Sequence, residues 1–267
     1  MNPDSLAGLD VITLSFLFGF QIYFDFAAYS HIALGAAKVL GISIPENFNF
    51  PYIATSMKDF WRRWHISLSS WIRDYLYLPL TGTKVLVSTG SGGIGQSLND
   101  QPTAKRKNFA LIATWGIMGF WHGANWTFIA WGGIQAILFL PLMLAGKNRR
   151  YTSEEIGKGR WLPTGRECLQ MIATFALGSI PRIFFRSDNI GDASNYILRM
   201  AQDLRFPDSH RSPIPYIIAL LLVDWFLLKK VTIHHAFIRY FIYVFTALLI
   251  LIHSTINPAP TFIYFEF

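Results

Sequence analysis

The chain has 267 residues, a net charge of +7, and a composition that is 52% hydrophobic, 16% aromatic and only 15% charged. Soluble globular domains carry about a quarter charged residues, so this composition and a mean hydropathy of +0.33 exclude an ordinary soluble domain and indicate a membrane protein. The aromatic content excludes intrinsic disorder. The single cysteine, Cys168, excludes a disulfide framework, a cysteine-rich zinc site and a CxxC redox motif.

The first apolar run extends from Val11 to Ala37, and its strongly polar side chains are Gln21, Asp25 and His31. It is longer than the roughly 20 residues that one perpendicular helix needs, which predicts either a long tilted span or a broken one. No lysine or arginine precedes the run, whereas a cleavable signal peptide begins with a basic region. We therefore expect this helix to be retained.

An aromatic and basic segment follows, with the sequence MKDFWRRWHISLSSWIRDYLY. On a helix its polar side chains share one face at steps of three or four, namely Lys58, Arg62, His65, Ser69 and Arg73. One interpretation is an amphipathic helix at the membrane interface that contacts anionic lipid. The other is the wall of a site for an anionic or phosphate-bearing donor, because arginine offers bidentate hydrogen bonds to such groups.

A glycine-rich segment then spells GxGxxG with Gly90, Gly92 and Gly95, as in a dinucleotide-binding fold. The context excludes that fold because no helix start of useful length follows. The position about 20 residues further on, where an acid would bind ribose, lies in an apolar run. We predict instead that residues 84–108 form a flexible cytoplasmic loop.

The strongest membrane signal is the run from Asn108 to Gly146, which contains no Asp, Glu, Lys or Arg. Its length predicts two membrane helices joined by a tight turn near Gly123 and Asn125. His122 lies in this hairpin, where an imidazole is costly unless it has a partner or a water-filled cavity. It is therefore either a functional residue or a core histidine bonded to a hydroxyl or a backbone carbonyl.

Three weaker spans are predicted at Cys168–Ile180, Ile214–Leu228 and Phe237–Ile256, with interruptions at Pro181, Asp224 and Arg239. The segment between Pro181 and Pro213 is predicted to be an outward-facing loop. The expected fold class is all-α: a polytopic integral membrane protein with about six membrane helices and an amphipathic interfacial or re-entrant helix. A single membrane domain over residues 1–267 is expected.

Basic clusters predict the orientation of the spans. Lysines and arginines at 105–107, 147–166 and 229–230 are separated by two proposed spans each, so they fall on one side, the cytoplasm. The intramembrane carboxylates Asp25 and Asp224 are either partners of arginine or backbone groups, neutral acids, or parts of a proton or ion pathway. No metal site is proposed, because no HExxH motif or converging acid accompanies the histidines at 234 and 235.

Three blocks carry a family resemblance: QIYFDFAAYSHIALGAAKVLGISIPENFNFPY, FWRRWHISLSSWIRDYLYLPL and GFWHGANWTFIAWGG, with the closing FIYFEF. Together they resemble the membrane-bound O-acyltransferase family, and within it the bacterial proteins that acetylate alginate and related exported polysaccharides or load D-alanine onto teichoic acid. The resemblance covers nearly the whole chain from about Ser15. Since such proteins usually carry a further N-terminal block of membrane helices, it implies the C-terminal portion of a partial family fold.

The resemblance implies that His122 is the catalytic histidine of the family and that His65 is its second characteristic histidine. A neutral imidazole, with an ordinary pKa of about 6.5, can accept the proton of a hydroxyl that attacks a thioester. We therefore expect His122 to be a general base, with His65 beside the donor. We expect Arg62 and Arg73, with Ser69 on the same polar stripe, to shape a passage for the donor, and Trp121 and Asn125 to form its walls. All five residues are expected to bind substrate.

The sequence departs from the family at three points. Family members usually have Asp at the position of His31, often have His at the position of Gln135, and show a short GGNR-like turn where this chain has TGTKVLVSTGSGGIG. These differences affect local details of the expected fold. Both of the implied histidines match.

The expected function is transfer of an acyl group, most simply acetyl, from a cytoplasmic donor to a hydroxyl of a cell-envelope or exported polysaccharide. No tightly bound cofactor is expected, because the acyl thioester, acetyl-CoA or an acyl carrier, is a substrate. Expected partners are membrane lipid, the donor or carrier protein, an external acceptor or partner acetyltransferase, and a separate N-terminal half, but no nucleic acid. The expected location is the bacterial inner membrane.

Two other functions remain open at this point. A transport or channel subunit is motivated by Asp25, Asp224 and the broken spans, and it predicts substrate flux without donor turnover. An inactive scaffold is motivated by the absence of the N-terminal helices from this sequence. If the chain is an acyltransferase, we expect it to be poorly active in isolation, because membrane helices are stabilised mainly by packing on one another.

Overall fold

The computed structural model describes residues 7–83, 85–87, 94–96, 103–144, 156, 160–202, 214–229 and 235–256. Most of these residues are helical. Contacts divide the chain into two compact units, Met1–Arg211 and Ser212–Phe267. The prediction of a single membrane domain stays a prediction.

Helix α1, Gly8–Val39, is one unbroken helix of 32 residues, so the long span rather than the broken one is found. It begins where the Ala7 amide donates a hydrogen bond of 3.2 Å to the Asp10 carboxylate. Of the described helices, α1 and α7 (Gly165–Arg186) are long and apolar enough to cross a membrane. Shorter apolar stretches occur in three further helices, and the count of about six spans stays a prediction.

The aromatic and basic segment is not one continuous helix, so that expectation is wrong. Helix α2, Met57–Arg63, ends at Trp64, and α3, Ile66–Ile72, begins after His65. A π-helical turn at Arg73–Tyr77 and α4, Leu78–Thr81, extend α3. Because the chain turns at His65, the polar side chains before and after it do not share one helical face.

The predicted helical hairpin is confirmed as α5, Ala104–His122, and α6, Trp126–Leu144. The two helices approach each other closely at Gly119 and Gly132. A methyl group on Gly119 would overlap the Phe128 carbonyl, and one on Gly132 would overlap the Trp115 carbonyl. Small residues therefore permit the close contact, as small residues do between helices in membranes.

A buried apolar cluster lies beside this hairpin and joins it to α3. Its members are Ile72, Leu111, Trp115, Met118, Trp131 and Ala136. Partly buried apolar side chains from α2, α6 and α7 pack around it. The cluster places α3 against the hairpin that carries His122.

The prediction of a loop over residues 84–108 is wrong at two places. Residues 85–87 pair with residues 94–96 as short antiparallel strands β1 and β2, and α5 already begins at Ala104. Thr103 explains the early helix start, because its hydroxyl accepts a hydrogen bond of 3.4 Å from the Arg106 amide. The rest of the glycine-rich segment lies outside the described residues.

The span predicted at Cys168–Ile180 is longer than expected and continues through Pro181. It starts with a capping box in which Thr164 and Glu167 exchange hydrogen bonds. Proline removes one backbone hydrogen bond, but Pro181 and Ile183 are both buried, so packing on the other helices outweighs that loss.

The segment expected to be an outward loop after Pro181 contains a further helix, α8, Ile190–Gln202. Asn189 caps it by accepting a hydrogen bond of 2.9 Å from the Asp192 amide. Ala193 is fully buried in the first unit, where α8 packs on α1, α6 and α7. The helix is short and partly charged, which is why hydropathy does not reveal it.

The second unit consists, in its described part, of α9, Ile214–Leu228, and α10, Ala236–Ile256. Both spans predicted there are confirmed as helices. The expected interruptions are wrong, because α9 continues through Asp224 and α10 continues through Arg239. Asp224 is buried.

Candidate active site

His122 is the last residue of α5 and lies in a cage of aromatic rings. Its imidazole meets Trp131 of α6 and Phe185 of α7 edge to face, each with ring centroids 5.0 Å apart. Trp121 is at 4.9 Å and Phe128 at 6.3 Å. Three helices thus fix the position of the ring, and the side chain is half-buried.

Within the described part of the chain, the His122 ring makes no hydrogen bond or ion pair. The interpretation as a core histidine bonded to a hydroxyl or a carbonyl is therefore not supported. The next residue, Gly123, has no side chain, and a methyl group there would lie 2.6 Å from the Phe128 ring. At this helix end, neither ring nitrogen of His122 has a hydrogen-bond partner among the residues that the structure describes.

His65 occupies the turn between α2 and α3 in a left-handed backbone conformation, with φ of 44°. For a residue other than glycine this conformation costs on the order of 1–3 kcal/mol and occurs preferentially at functional sites. The ring stands edge to face on Phe26 of α1, with centroids 4.6 Å apart. Burial lowers the pKa of His65 to about 4, so its imidazole is neutral near pH 7.

The structure brings the two predicted histidines into one region. Their imidazoles are near enough to interact electrostatically. Trp61, one helical turn before His65, lies 6.1 Å from Trp131, which is also a neighbour of His122. The Trp61 indole donates a hydrogen bond of 3.3 Å to the buried side chain of Gln135, which ties α2 to α6.

The polar residues predicted to line the donor passage are dispersed by the break at His65. Arg62 is exposed on α2. Arg73 is exposed in the π-helical turn, and its guanidinium forms a two-point ion pair with Asp74 at 2.6 and 3.1 Å. The Ser69 hydroxyl donates to the Trp64 carbonyl at 3.1 Å and so closes the turn. Their roles in substrate binding stay predictions.

The two residues predicted as walls of the passage differ in their surroundings. Trp121 is 59% exposed beside His122. Asn125 caps α6 by accepting a hydrogen bond of 3.1 Å from the Thr127 amide, and its side chain donates to the Asp188 carbonyl at 2.9 Å. Both polar ends of Asn125 are therefore engaged in holding the turn after His122. The contact of Trp121 and Asn125 with substrate stays a prediction.

Metal chemistry has no candidate site among the described residues, which contain no group of three or more His, Cys, Asp or Glu suited to hold an ion. Asp25 is half-buried on α1. Among the described residues, neither a metal site nor Asp25 therefore places a charge beside the two histidines. What the site offers is two imidazoles in an aromatic surrounding, a setting suited to proton transfer.

Several residues of the site were missed by sequence reasoning. Phe26, Trp131 and Phe185 form the aromatic surroundings of the two histidines, and Asn47 supports the His65 turn. All belong to ordinary apolar or loop patterns, so their types and spacing indicate nothing particular. Asn47 and Phe26 do lie within the first resembling block, which is the one signal that could have selected them.

Comparison with known proteins now shows what the chain is similar to. Residues 9–92 match the sequence model of the MBOAT, membrane-bound O-acyltransferase, family. The chain contains a domain of this family. The matched region includes α1 and the His65 turn.

Curated relatives of the membrane-bound O-acyltransferase domain extend the similarity. The chain is 34% identical over 195 residues to a peptidoglycan O-acetyltransferase of Helicobacter pylori, covering 72% of this chain and 32% of that protein. It is 47% identical over 112 residues to a probable alginate O-acetylase AlgI of Azotobacter vinelandii, covering 42% and 19%. A teichoic acid D-alanyltransferase of Streptococcus thermophilus is 36% identical over 137 residues, covering 51% and 31%.

These proteins are acyltransferases of polysaccharides or teichoic acids by name, and the membrane-bound O-acyltransferase family consists of integral membrane enzymes. The resemblance seen in the sequence blocks is confirmed. The chain spans about a third or less of the length of these relatives, with shares of 32%, 19% and 31%.

Proposed function

We propose that the chain forms part of a bacterial membrane O-acyltransferase and that His122 is its general base. The observation that carries this proposal is the His122 imidazole, held by rings from three helices and without a hydrogen-bond partner in the described residues. A histidine that only filled a membrane core would need such a partner. The family match and the nearby His65 add to this support.

The chemical step follows from these groups. A ring nitrogen of His122 accepts the proton of an acceptor hydroxyl as its oxygen attacks the thioester carbonyl carbon. A carbon–oxygen bond forms, the carbon–sulfur bond breaks, and the thiolate leaving group takes the proton from the imidazolium. General base catalysis of this kind contributes typically about a hundredfold to ten-thousandfold to the rate. No tightly bound cofactor takes part.

The substrates of this proposal are an acyl thioester, most simply acetyl-CoA or an acyl carrier, and a hydroxyl of a cell-envelope or exported polysaccharide. Arg62 precedes His65 and Arg73 follows it in the chain, and both side chains are exposed. Asp74 pairs with Arg73, so Arg62 is the guanidinium proposed to attract a phosphate-bearing donor. We place the protein in the inner membrane, with lipid, a carrier protein, an external acceptor or acetyltransferase and a separate N-terminal half as its partners.

The test is acyl analysis of the envelope polysaccharides in the bacterium that carries the gene. The gene is deleted and then restored as wild type, as His122→Ala and, as a matched control, as His31→Ala, because His31 is exposed on α1. Mass spectrometry of the purified polymers should show ester-linked acyl groups with the wild type and His31→Ala. It should show none with the deletion or His122→Ala.

Equal acylation in all four strains would reject the proposed acyltransferase function. Equal acylation together with a changed amount of exported polymer would favour a transport subunit instead. Turnover of radiolabelled acetyl-CoA by membranes of the restored strain separates donor use from transport, since a transporter moves substrate without consuming a donor.

A further inference from the structure

The His65 turn is a strained piece of backbone that something must hold. His65 and Phe50 are the two residues other than glycine with positive φ among the described residues, at 44° and 49°. A side chain in this region of the backbone map is unfavourable in isolation. Such a conformation persists only when the surroundings over-determine it.

Asn47 supplies three hydrogen bonds to the residues that follow His65. Its side-chain oxygen Oδ1 accepts from the Ser67 hydroxyl at 2.6 Å and from the Ser67 amide at 3.3 Å. Its backbone carbonyl accepts from the Ile66 amide at 3.0 Å. These bonds satisfy amides at the start of α3 that would otherwise lack an intrahelical partner. They fix the direction in which the chain leaves the turn.

Asn47 is itself anchored to α1. Its side-chain amide donates to the Ser30 hydroxyl at 3.4 Å. Ser30 is four residues after Phe26, so both lie on one face of α1, and Phe26 is the ring on which His65 packs. The same helix face therefore holds the imidazole directly and holds its turn through Asn47.

The neighbouring residues keep the Asn47 segment in place. Phe48 pairs with Trp64 in an antiparallel bridge, and the two rings lie 5.1 Å apart. Further along, the Tyr52 hydroxyl donates to the Gly19 carbonyl of α1, and the Arg182 guanidinium covers the Tyr52 ring at 5.8 Å. The segment is thus tied to α1 at both ends.

We propose that Asn47 is the positioning residue for His65, acting through the backbone of the turn and not on the substrate. The proposal deepens the proposed function and rests on it in one respect: the position of His65 matters only if the site transfers an acyl group. Loss of the Asn47 acceptor should let the turn relax. A displacement of about 1 Å can lower kcat by up to about a hundredfold.

The variants separate the acceptor from the bulk of the side chain. Asn47→Leu removes all side-chain hydrogen bonds, whereas Asn47→Asp keeps an acceptor for Ser67 and loses only the donor to Ser30. Asn49→Leu is the matched control, because Asn49 lies in the same segment with an exposed side chain. Each variant is expressed in the bacterium that carries the gene, and its membranes are normalised for the amount of protein.

Two measurements are made on the same membranes. The first is kcat and KM with acetyl-CoA and the cell's own polysaccharide. Asn47→Leu should lower kcat by up to about a hundredfold with KM for acetyl-CoA within about twofold, because an orienting role acts on the transition state. Asn47→Asp and Asn49→Leu should keep most of the activity. Equal kcat for Asn47→Leu and the wild type overturns the proposal.

The second measurement does not need turnover. Diethyl pyrocarbonate modifies neutral imidazoles, and peptide mass spectrometry gives the rate at His65 relative to the exposed His31 of the same molecule. The rate at His65 should rise severalfold in Asn47→Leu but not in Asn47→Asp. If wild-type membranes show no turnover, the proposed function fails, and this rate alone decides the positioning role. An unchanged rate in Asn47→Leu, or equal rises in both Asn47 variants, overturns it.

Discussion

The two histidines are held in different ways. His122 ends a regular helix, and the α5–α6 hairpin that carries it is set by direct backbone contact at Gly119 and Gly132. His65 stands in a turn between two short helices, in a strained conformation that hydrogen bonds from Asn47 support. One imidazole thus depends on helix packing, and the other depends on a network of polar contacts.

The site thus combines a rigid imidazole, His122, with an adjustable one, His65. Glycine contacts leave no room for a larger side chain, so the position of His122 tolerates little change. A hydrogen-bonded turn can be loosened one bond at a time. We therefore expect changes in the hairpin to act on folding and activity together, and changes around the His65 turn to act mainly on kcat.

The largest effect should come from His122→Ala. Removal of the general base should lower acyl transfer by at least about a hundredfold. The variant should still insert and fold, since the ring makes no hydrogen bond that the described residues need. Acylation assays and membrane quantification check both points, with His31→Ala as the control. Wild-type acylation by a properly inserted His122→Ala protein would remove His122 from the mechanism.

The ends of α5 should differ completely in accessibility. The variants Lys105→Cys and Ala124→Cys are made in a Cys168→Ser background, and an impermeant maleimide is added outside intact cells. Ala124→Cys should react with the maleimide and Lys105→Cys should not. The physical reason is the basic cluster at 105–107, which favours the cytoplasmic side. Labelling of Lys105→Cys from outside would reverse the orientation and the face toward which each histidine lies.

Hairpin packing should be sensitive at Gly132 and insensitive at Gly133. Gly132→Ala would push a methyl group into the Trp115 carbonyl, and such overpacking costs typically about 1–3 kcal/mol. Gly133→Ala meets nothing within 4 Å and should be neutral or gain up to about 1 kcal/mol of helix propensity. Thermal midpoints in nanodiscs measure both. Equal midpoints would show that close backbone contact does not hold the hairpin.

The smallest effect concerns pH. Burial lowers the pKa of His65 to about 4, so the neutral form persists as the pH falls from 8 and is lost only as the pH approaches that value. The ratio of wild-type activity to His65→Gln activity isolates this group. We expect the ratio to stay constant from pH 8 down to about pH 5. A change in the ratio near pH 6.5, the ordinary value for histidine, would contradict the buried setting.

The sequence predicts the α5–α6 hairpin but not the His65 turn, because local patterns specify the hairpin whereas a contact between distant residues stabilises the turn. The absence of charge from Asn108 to Gly146 and the glycines near its middle predict two apolar helices and a bend. The alternation of basic and aromatic residues over Lys58–Tyr75 equally predicts one helix. The structure has two helices there, separated at His65. Local pattern cannot reveal a break that Asn47, distant in sequence, stabilises.

The amino-acid sequence predicts the membrane character, the family resemblance and the positions of most of the long apolar helices, and it selects the two histidines as candidates. These follow from hydropathy and from motifs, which are local properties of the chain. The sequence does not reveal that α7 continues through Pro181, that α8 exists, or that Phe26, Trp131 and Phe185 surround the histidines. Each of these depends on packing between segments far apart in the chain, and packing energy overrides the local preferences that a sequence displays.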